Sequence, residues 1–259
     1  MGIKLNNSFY VFVAVRMKSS RLHFKAMQNI SGQPLIKRLV ERISEIIPLN
    51  RIVLCTSLAA QDDAIQKFAD QNKINCFRGH ELDVMERFLE AAKLYNAKII
   101  ARVTGDNPLT DPFVMLEMLQ HHEKNNSEYT YNNEIPIGTR TEIIDVSTLS
   151  RIHSQLSDPL SSEYMTYMLN RPDKLKTSEY KVSNHILKRP EICLTVDTES
   201  DFKAMQEVYN QFKGSPPSLE KIIEWIDSKE DNNYSFKEDV NSTLSKDVDC
   251  SFASDLKSL

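Results

Sequence analysis

The sequence predicts an α/β protein with a mostly parallel sheet, helices on both faces and an antiparallel extension. Two observations predict the parallel part. Short apolar runs alternate with amphipathic segments through roughly the first 110 residues, which implies right-handed βαβ crossovers. The first run, Phe9 to Val15 (FYVFVAV), is apolar at every position, as a strand buried on both faces should be. A third observation predicts the extension: after residue 125 short β-rich runs mix with helical segments and strict alternation stops.

The elements follow in order. Pro34 opens a helix in which Leu35, Ile36, Leu39, Val40, Ile43, Ile46 and Ile47 recur at three- and four-residue spacing, ending before Pro48. Arg51 to Ser57 reads as a strand, Asp62 to Gln71 as a helix carrying Ile65 and Phe68, and Ile74 to Phe77 as a short strand. Asp83 to Tyr95 is helical, with Val84, Phe88, Ala92 and Tyr95 on one face, and Lys98 to Val103 is a strand. Beyond it, Tyr129–Tyr131, Thr141–Val146, Glu179–Ser183 and Ile192–Val196 are expected strands, and Ser162–Leu169 and Ser200–Phe212 expected helices. Residues 1–228 read as one α/β domain, and 229–259, polar and without a sustained period, as a mobile tail.

Composition narrows the function. Lys plus Arg number 32 against 36 for Asp plus Glu, a net charge of −4 that argues against broad binding to nucleic acid or an anionic membrane surface. No segment has the roughly 18 to 20 apolar residues of a membrane span, and the N-terminus lacks the apolar core of a signal peptide. A soluble, cytoplasmic protein is expected. Cys55, Cys76, Cys193 and Cys250 show no CxxC spacing, so they read as free thiols and not as zinc ligands.

Cations are concentrated locally. Arg16 to Lys25 (RMKSSRLHFK) leaves the first strand with Arg16, Arg21 and Lys25 spaced around Ser19 and Ser20. In an open α/β sheet ligands gather beyond the carboxyl ends of the strands. Arginine forks, a mobile lysine and hydroxyls together suit a polyphosphate. A solvated basic turn is the alternative.

A second stretch, Arg102 to Pro112 (RVTGDNPLTDP), begins where a central strand ends. Gly105 is expected to permit a turn that other residues resist, and Asp106 then projects from the same sheet edge as the cationic loop. A carboxylate beside phosphates calls for a cation between them, and magnesium commonly takes one or two carboxylates plus phosphate oxygens. Asp106 is therefore a candidate magnesium ligand, while Asp111 reads as a helix cap. The third stretch, Leu194 to Asp201 (LTVDTESD), repeats the pattern. Asp197 leaves a short strand, Thr198 or Ser200 caps the next helix, and Asp201 favours its positive end. Asp197 could complete a two-carboxylate site with Asp106, or be structural.

These segments together resemble the cytidylyltransferases of the spore-coat polysaccharide SpsF type, relatives of the enzymes that make CMP-Kdo and CMP-sialic acid. RMKSSRL at 16–22, Lys25 and GQPLIKRLVERI at 32–43 look like the family's opening. Thr56-Ser57, Phe77 to Gly79, Asp83, Arg102 to Pro112, Gly138 to Glu142, Glu163-Tyr164 and Leu194 to Asp201 resemble later family segments in the same order. The resemblance implies a nucleotidyltransferase-like, Rossmann-like fold of the GT-A type. It also implies transfer of CMP from CTP to a sugar acid of ulosonic or nonulosonic type, with loss of pyrophosphate, and a homodimer. Carried onto this chain, Arg16, Arg21, Lys25 and Asp106 would be catalytic. Ser19, Ser20, Thr56, Ser57, Arg102, Thr104 and Gly105 would join Arg16, Arg21 and Lys25 around the nucleotide. Asp106 and Asp197 would hold Mg2+, and Gly138, Arg140, Glu142 and Glu163 would bind the acceptor, with Lys188 and Arg189 nearby.

Arg140 is the candidate clamp for an acidic sugar, although Arg140 and Glu142, two apart on a strand, could simply pair on an exposed face. Two positions depart from the family. His23-Phe24 stands where Pro-Gly is usual, and Glu163-Tyr164-Met165-Thr166 replaces EHVT. Two other functions fit the same features: a GT-A glycosyltransferase using a nucleotide-sugar, and a nucleotide-binding module without turnover.

Overall fold

The computed structural model describes residues 5–18, 22, 24–156, 160, 162 and 165–229. The apolar opening run forms β1 (Phe9–Ala14), followed by an antiparallel hairpin of β2 (Asn29–Ile30) and β3 (Gln33–Pro34) and by α1 (Leu35–Ser44). The alternation continues through β4 (Ile52–Ser57), α2 (Asp63–Asn72), β5 (Asn75–Gly79), α3 (Val84–Tyr95), β6 (Ile99–Thr104) and α4 (Pro112–Asn125). Then come β7 (Tyr129–Tyr131), β8 (Glu142–Asp145), α5 (Val146–His153), α6 (Met165–Leu169), β9 (Thr177–Glu179), α7 (Glu199–Gln211) and α8 (Leu219–Asp227).

Helix ends follow from the sequence. Asp83 caps α3 by accepting from Glu86 N at 2.8 Å, and Asp111 caps α4 by accepting from Phe113 N and Val114 N, both at 2.9 Å. Lys73, Asn96 and Asn126 take left-handed conformations that stop α2, α3 and α4.

The main sheet has the order β5-β4-β1-β6-β8-β7-β9. β5, β4, β1 and β6 are parallel, and β8 runs antiparallel to both of its neighbours. β9 pairs in parallel with β7. The expected antiparallel extension is thus one reversed strand, beyond which the sheet resumes its first direction.

Side chains alternate between the two faces along β1 and β4. Val11 and Val13 face α1, α2 and α4, while Phe12, Val53 and Cys55 face α3, α5 and α6, all of them fully buried. Covering both faces is what allows β1 to be apolar throughout, each such large side chain contributing about 1.5–3 kcal/mol on burial. A third cluster joins α7 and α8 to Leu22, Leu35 and Leu109.

The chain builds outwards from β1 through β4 to β5, then returns to place β6 on the other side of β1. That reversal is the topological switch point, where loops diverge at the carboxyl edge and leave a crevice. Among the described residues no helix is long and apolar enough to cross a membrane.

Two expected strands move. The strand expected at Glu179–Ser183 lies earlier, as β9, because pairing with β7 begins at Thr177. The segment expected as a strand at Ile192–Val196 is not a strand; among the described residues it bridges Ile137 through Cys193. Its alternating Ile192, Leu194 and Val196 pack against α7 and α8 instead of a sheet face. Of the expected tail, Lys229 is tied down by Glu207 and lies 4.1 Å from the Trp225 ring centre, and 230–259 fall outside the described residues.

The bridge depends on Gly138. Its φ is +83°, and a Cβ there would lie 2.2 Å from Thr195 N and 2.4 Å from the Leu194 carbonyl carbon. Backbone on that side cannot yield as a side chain can. Gly138→Ala should therefore destabilise the protein by at least about 2 kcal/mol, combining left-handed strain and overpacking. That corresponds to a drop in thermal midpoint of about 4 °C or more, readable by circular dichroism.

Candidate active site

The carboxyl edge at the switch point is built from two backbone crossings. Gly105 N donates to Ala14 O at 2.8 Å, carrying the β1–β6 pairing one residue further. A Cβ on Gly105 would lie 2.8 Å from Val15 Cβ. Its φ is not in the left-handed range, so the expected turn is not what demands glycine: close approach to β1 is. The next residue, Asp106, accepts through its carbonyl from Val196 N at 3.0 Å. This bond joins the β6 loop to the segment that carries Asp197.

Asp197 is held from behind. Asp201 Oδ2 accepts from Asp197 N at 2.9 Å and Thr198 N at 2.7 Å, while Thr198 Oγ1 accepts from Asp201 N at 3.2 Å. This is a capping box at the start of α7. It aims the Asp197 side chain back across the crevice.

Between the two carboxylates sits the ammonium of Lys25. Lys25 Nζ donates to Asp106 Oδ2 and Asp197 Oδ1, both at 2.9 Å, and to Val196 O at 3.0 Å. The three side chains are 14–26% exposed. Burial works against charge on Lys25, yet Asp106 and Asp197 outweigh it and hold the ammonium above its ordinary value. Burial likewise opposes ionisation of Asp106, and Lys25 with a hydrogen bond from Thr104 holds its carboxyl below the ordinary value. Both shifts favour the charged forms of Lys25 and Asp106.

The two carboxylates converge on one cation, the Lys25 ammonium. Among the described residues no group of three or more His, Cys, Asp or Glu is arranged for a metal. Two carboxylates with an open side nevertheless fit a divalent ion that completes its shell with water and phosphate oxygens.

The rest of the cationic loop is partly in view. Arg16 Nη1 donates to Glu81 O at 2.9 Å, so it reaches over the end of β5. Ser19, Ser20, Arg21 and His23 lie outside the described residues. Phe24, in the family's glycine position, has φ +53° and ψ +27°. The position is left-handed although it carries a side chain, which is 57% exposed. Thr56 and Ser57 are fully buried, and the Ser57 hydroxyl is spent on Asp62.

Beside Asp106 opens a cleft of about 230 Å³, lined by Arg102, Thr104, Asn107, Tyr131, Gly138, Arg140, Thr141, Glu142 and Thr166 among others. The structure therefore brings three of the expected acceptor residues together and places Arg102 and Thr104 with them. Glu163 lies outside the described residues. The Glu142 carboxylate is held by the Arg102 guanidinium and the Tyr129 hydroxyl. Burial and Glu142 push the Tyr129 phenol well up, and Glu142 outweighs burial to hold the Arg102 guanidinium above its ordinary value. The pairing of Glu142 with Arg140 that the spacing allowed is replaced by this one. Arg140 donates instead to Ile135 O at 2.8 Å and Asn133 O at 3.2 Å. Lys188 and Arg189 do not line the cleft; they pair with Glu134, and with Glu191 and Asp227.

Sequence reading missed Asp62. It is fully buried and accepts from Met17 N at 2.7 Å and Ser57 N at 3.1 Å, tying the start of the cationic loop to the end of β4. In the sequence it stood only as the first residue of the helix expected over Asp62 to Gln71. Also missed was Arg87, buried beneath the same edge, which donates to His80 O at 2.9 Å. Burial pushes the Cys55 thiol well up and the Cys76 thiol up to about 12, so neither is a nucleophile at neutral pH.

Phe24 yields a direct test of the turn. Left-handed geometry costs a non-glycine residue about 1–2 kcal/mol, partly offset because glycine loosens the unfolded chain by about 0.4–1 kcal/mol. Phe24→Gly is expected to leave stability unchanged or raise it by up to about 1 kcal/mol. Phe24→Val, β-branched, is expected to lower it. Urea midpoints at constant slope read both changes.

Known proteins share this architecture. A family model described as cytidylyltransferase matches residues 10–239. An uncharacterised protein of Methanocaldococcus jannaschii is 30% identical over 216 residues, 83% of this chain and 88% of that protein. The spore coat polysaccharide biosynthesis protein SpsF of Bacillus subtilis is 28% identical over 220 residues, 82% of this chain and 90% of its own. A solved cytidylyltransferase from Leptospira borgpetersenii superposes with a TM-score of 0.79 at 26% identity, covering 92% of this chain and 99% of that one. The matched stretch takes in Lys25, Asp106, Asp197 and the adjoining cleft, and with the same fold in a solved member it establishes that this chain belongs to the cytidylyltransferase family.

Proposed function

We propose that the protein transfers CMP from CTP to a sugar acid, releasing pyrophosphate, with Mg2+ held by Asp106 and Asp197. The observation that carries this reading is the convergence of both carboxylates on one cation at the switch point, 2.9 Å from each, beside an amide- and hydroxyl-lined cleft. An acceptor oxygen attacks the α-phosphorus, forming a new P–O bond as the bond to the bridging oxygen of pyrophosphate breaks. The departing pyrophosphate takes the electron pair and the attacking hydroxyl gives its proton to water.

This chain's residues do the positioning. Arg16 and Lys25 would approach the triphosphate from the β1 loop, and the family resemblance assigns Ser19, Ser20 and Arg21 to the same cradle. Thr56, Ser57, Arg102, Thr104 and Gly105 shape its floor, and Ser57 acts through Asp62. Gly138, Arg140 and Glu142 form the acceptor side, where Arg140 would meet the carboxylate of a sugar acid; the family resemblance assigns Glu163 to the same side. A divalent cation held by Asp106 and Asp197 would supply charge neutralisation for the triphosphate and the departing pyrophosphate. Glycan or surface-polysaccharide synthesis, a homodimer, cytoplasmic location and a single domain over 1–228 belong to the same reading and rest on the family resemblance and the absence of a long apolar helix among the described residues.

Incubation with CTP, Mg2+ and a panel of sugar acids should release pyrophosphate in step with a CMP-sugar. Asp106→Asn should lower kcat by about 10²-fold or more while the circular dichroism melt stays cooperative. Sugar released from a nucleotide-sugar with no pyrophosphate from CTP would instead identify a glycosyltransferase. CTP binding without turnover on any acid would leave a nucleotide-binding module.

A further inference from the structure

An ammonium has three N–H groups and no acceptor capacity. All three of Lys25's are used, on Asp106 Oδ2, Asp197 Oδ1 and Val196 O. Lys25 therefore has no bond to offer a phosphate unless it gives up one it already makes. Its ammonium also stands between the carboxylates, where a divalent ion would bind, and two cations cannot share that space. One of them has to leave.

We propose that Lys25 is a built-in counter-ion that occupies the metal position until nucleotide arrives, then surrenders the carboxylates to the divalent cation and takes up the triphosphate. The inference rests on the assignment of Asp106 and Asp197 as metal ligands made above. Several features favour an exchange over a permanent bridge. The side chains involved keep 14–26% of their surface exposed, so the carboxylates remain open to an entering ion. Lysine carries its charge on a flexible four-carbon stem and can move it without moving backbone. Arg16, by contrast, is bonded to Glu81 O, and Asp197 is fixed from behind by Asp201. The lysine is the mobile member of an otherwise anchored set.

Such an exchange orders the binding events. In the absence of nucleotide the metal competes with a tethered ammonium and binds weakly. Nucleotide gives that ammonium another anion, so each ligand tightens the other by the same factor. Between syntheses the two carboxylates are never left facing each other uncompensated.

The test is a Mn2+ titration of the full chain without nucleotide, reading free Mn2+ by electron paramagnetic resonance. Lys25→Met should bind Mn2+ at least about tenfold more tightly than the unaltered protein, within the range of ordinary site coupling. Lys25→Arg, which keeps the charge, should stay near the unaltered value. If Lys25→Met does not fold, Lys25→Gln makes the same comparison with a neutral side chain of retained polarity. Equal Mn2+ affinity in the neutral variant and the unaltered protein, with Asp106→Asn abolishing binding, overturns the counter-ion role and leaves the metal site standing. If neither protein binds Mn2+, with CTP present or absent, beyond what CTP alone binds, the metal assignment falls and the counter-ion falls with it.

Discussion

The grip of one ammonium by two carboxylates and a carbonyl is the interaction on which the carboxyl edge of this protein depends. Lys25, Asp106 and Asp197 come from three separate segments, and each is delivered by a different piece of backbone. Lys25 follows a left-handed turn at Phe24. Asp106 follows the glycine that lets β6 press against β1. Asp197 follows a segment seated on Gly138 and precedes a capped helix. Opposite charges meeting in a partly buried crevice satisfy one another, whereas any one of the three alone would be an expensive buried charge.

That arrangement follows from topology. Because β4 and β6 flank β1 on opposite sides, the loops leaving β1 and β6 diverge from neighbouring strand ends. The crevice between them is where an α/β sheet offers its loops to a ligand. The reversed strand β8 then brings Glu142 against Arg102 of β6, so the floor of the adjoining cleft is an internally neutralised pair. With Arg102 neutralised in this way, the cleft is less cationic than its arginine content suggests.

Much of this was legible in the sequence, and the limits have physical causes. The alternation of buried runs with amphipathic helices exposed the sheet because period 2 and period 3.6 differ sharply. The separate signals at Arg16–Lys25, Arg102–Pro112 and Leu194–Asp201 marked one edge because each follows an apolar run. The pattern at Ile192, Leu194 and Val196 misled, since a chain alternately buried against helices looks the same as a strand. Pairings between distant residues were not readable at all: spacing suggested Arg140 with Glu142, while strand register sets Arg102 opposite it. Asp62 shows the same limit, because its bonds to the amides of Met17 and Ser57 leave no mark on the helical pattern it opens. At Phe24 nothing in the sequence signalled a left-handed residue, because a phenylalanine does not advertise a positive φ that the surrounding loop imposes on it.

The central claim is that Asp106 and Asp197 form a single cation site at the switch point. Anomalous diffraction from crystals grown with Mn2+ and CTP tests it most directly. The account predicts one manganese peak within coordination distance of both carboxylates and of phosphate oxygens, with the Lys25 ammonium withdrawn from between them. A peak bound by neither carboxylate, or by Asp106 alone with Lys25 still bridging to Asp197, would contradict it.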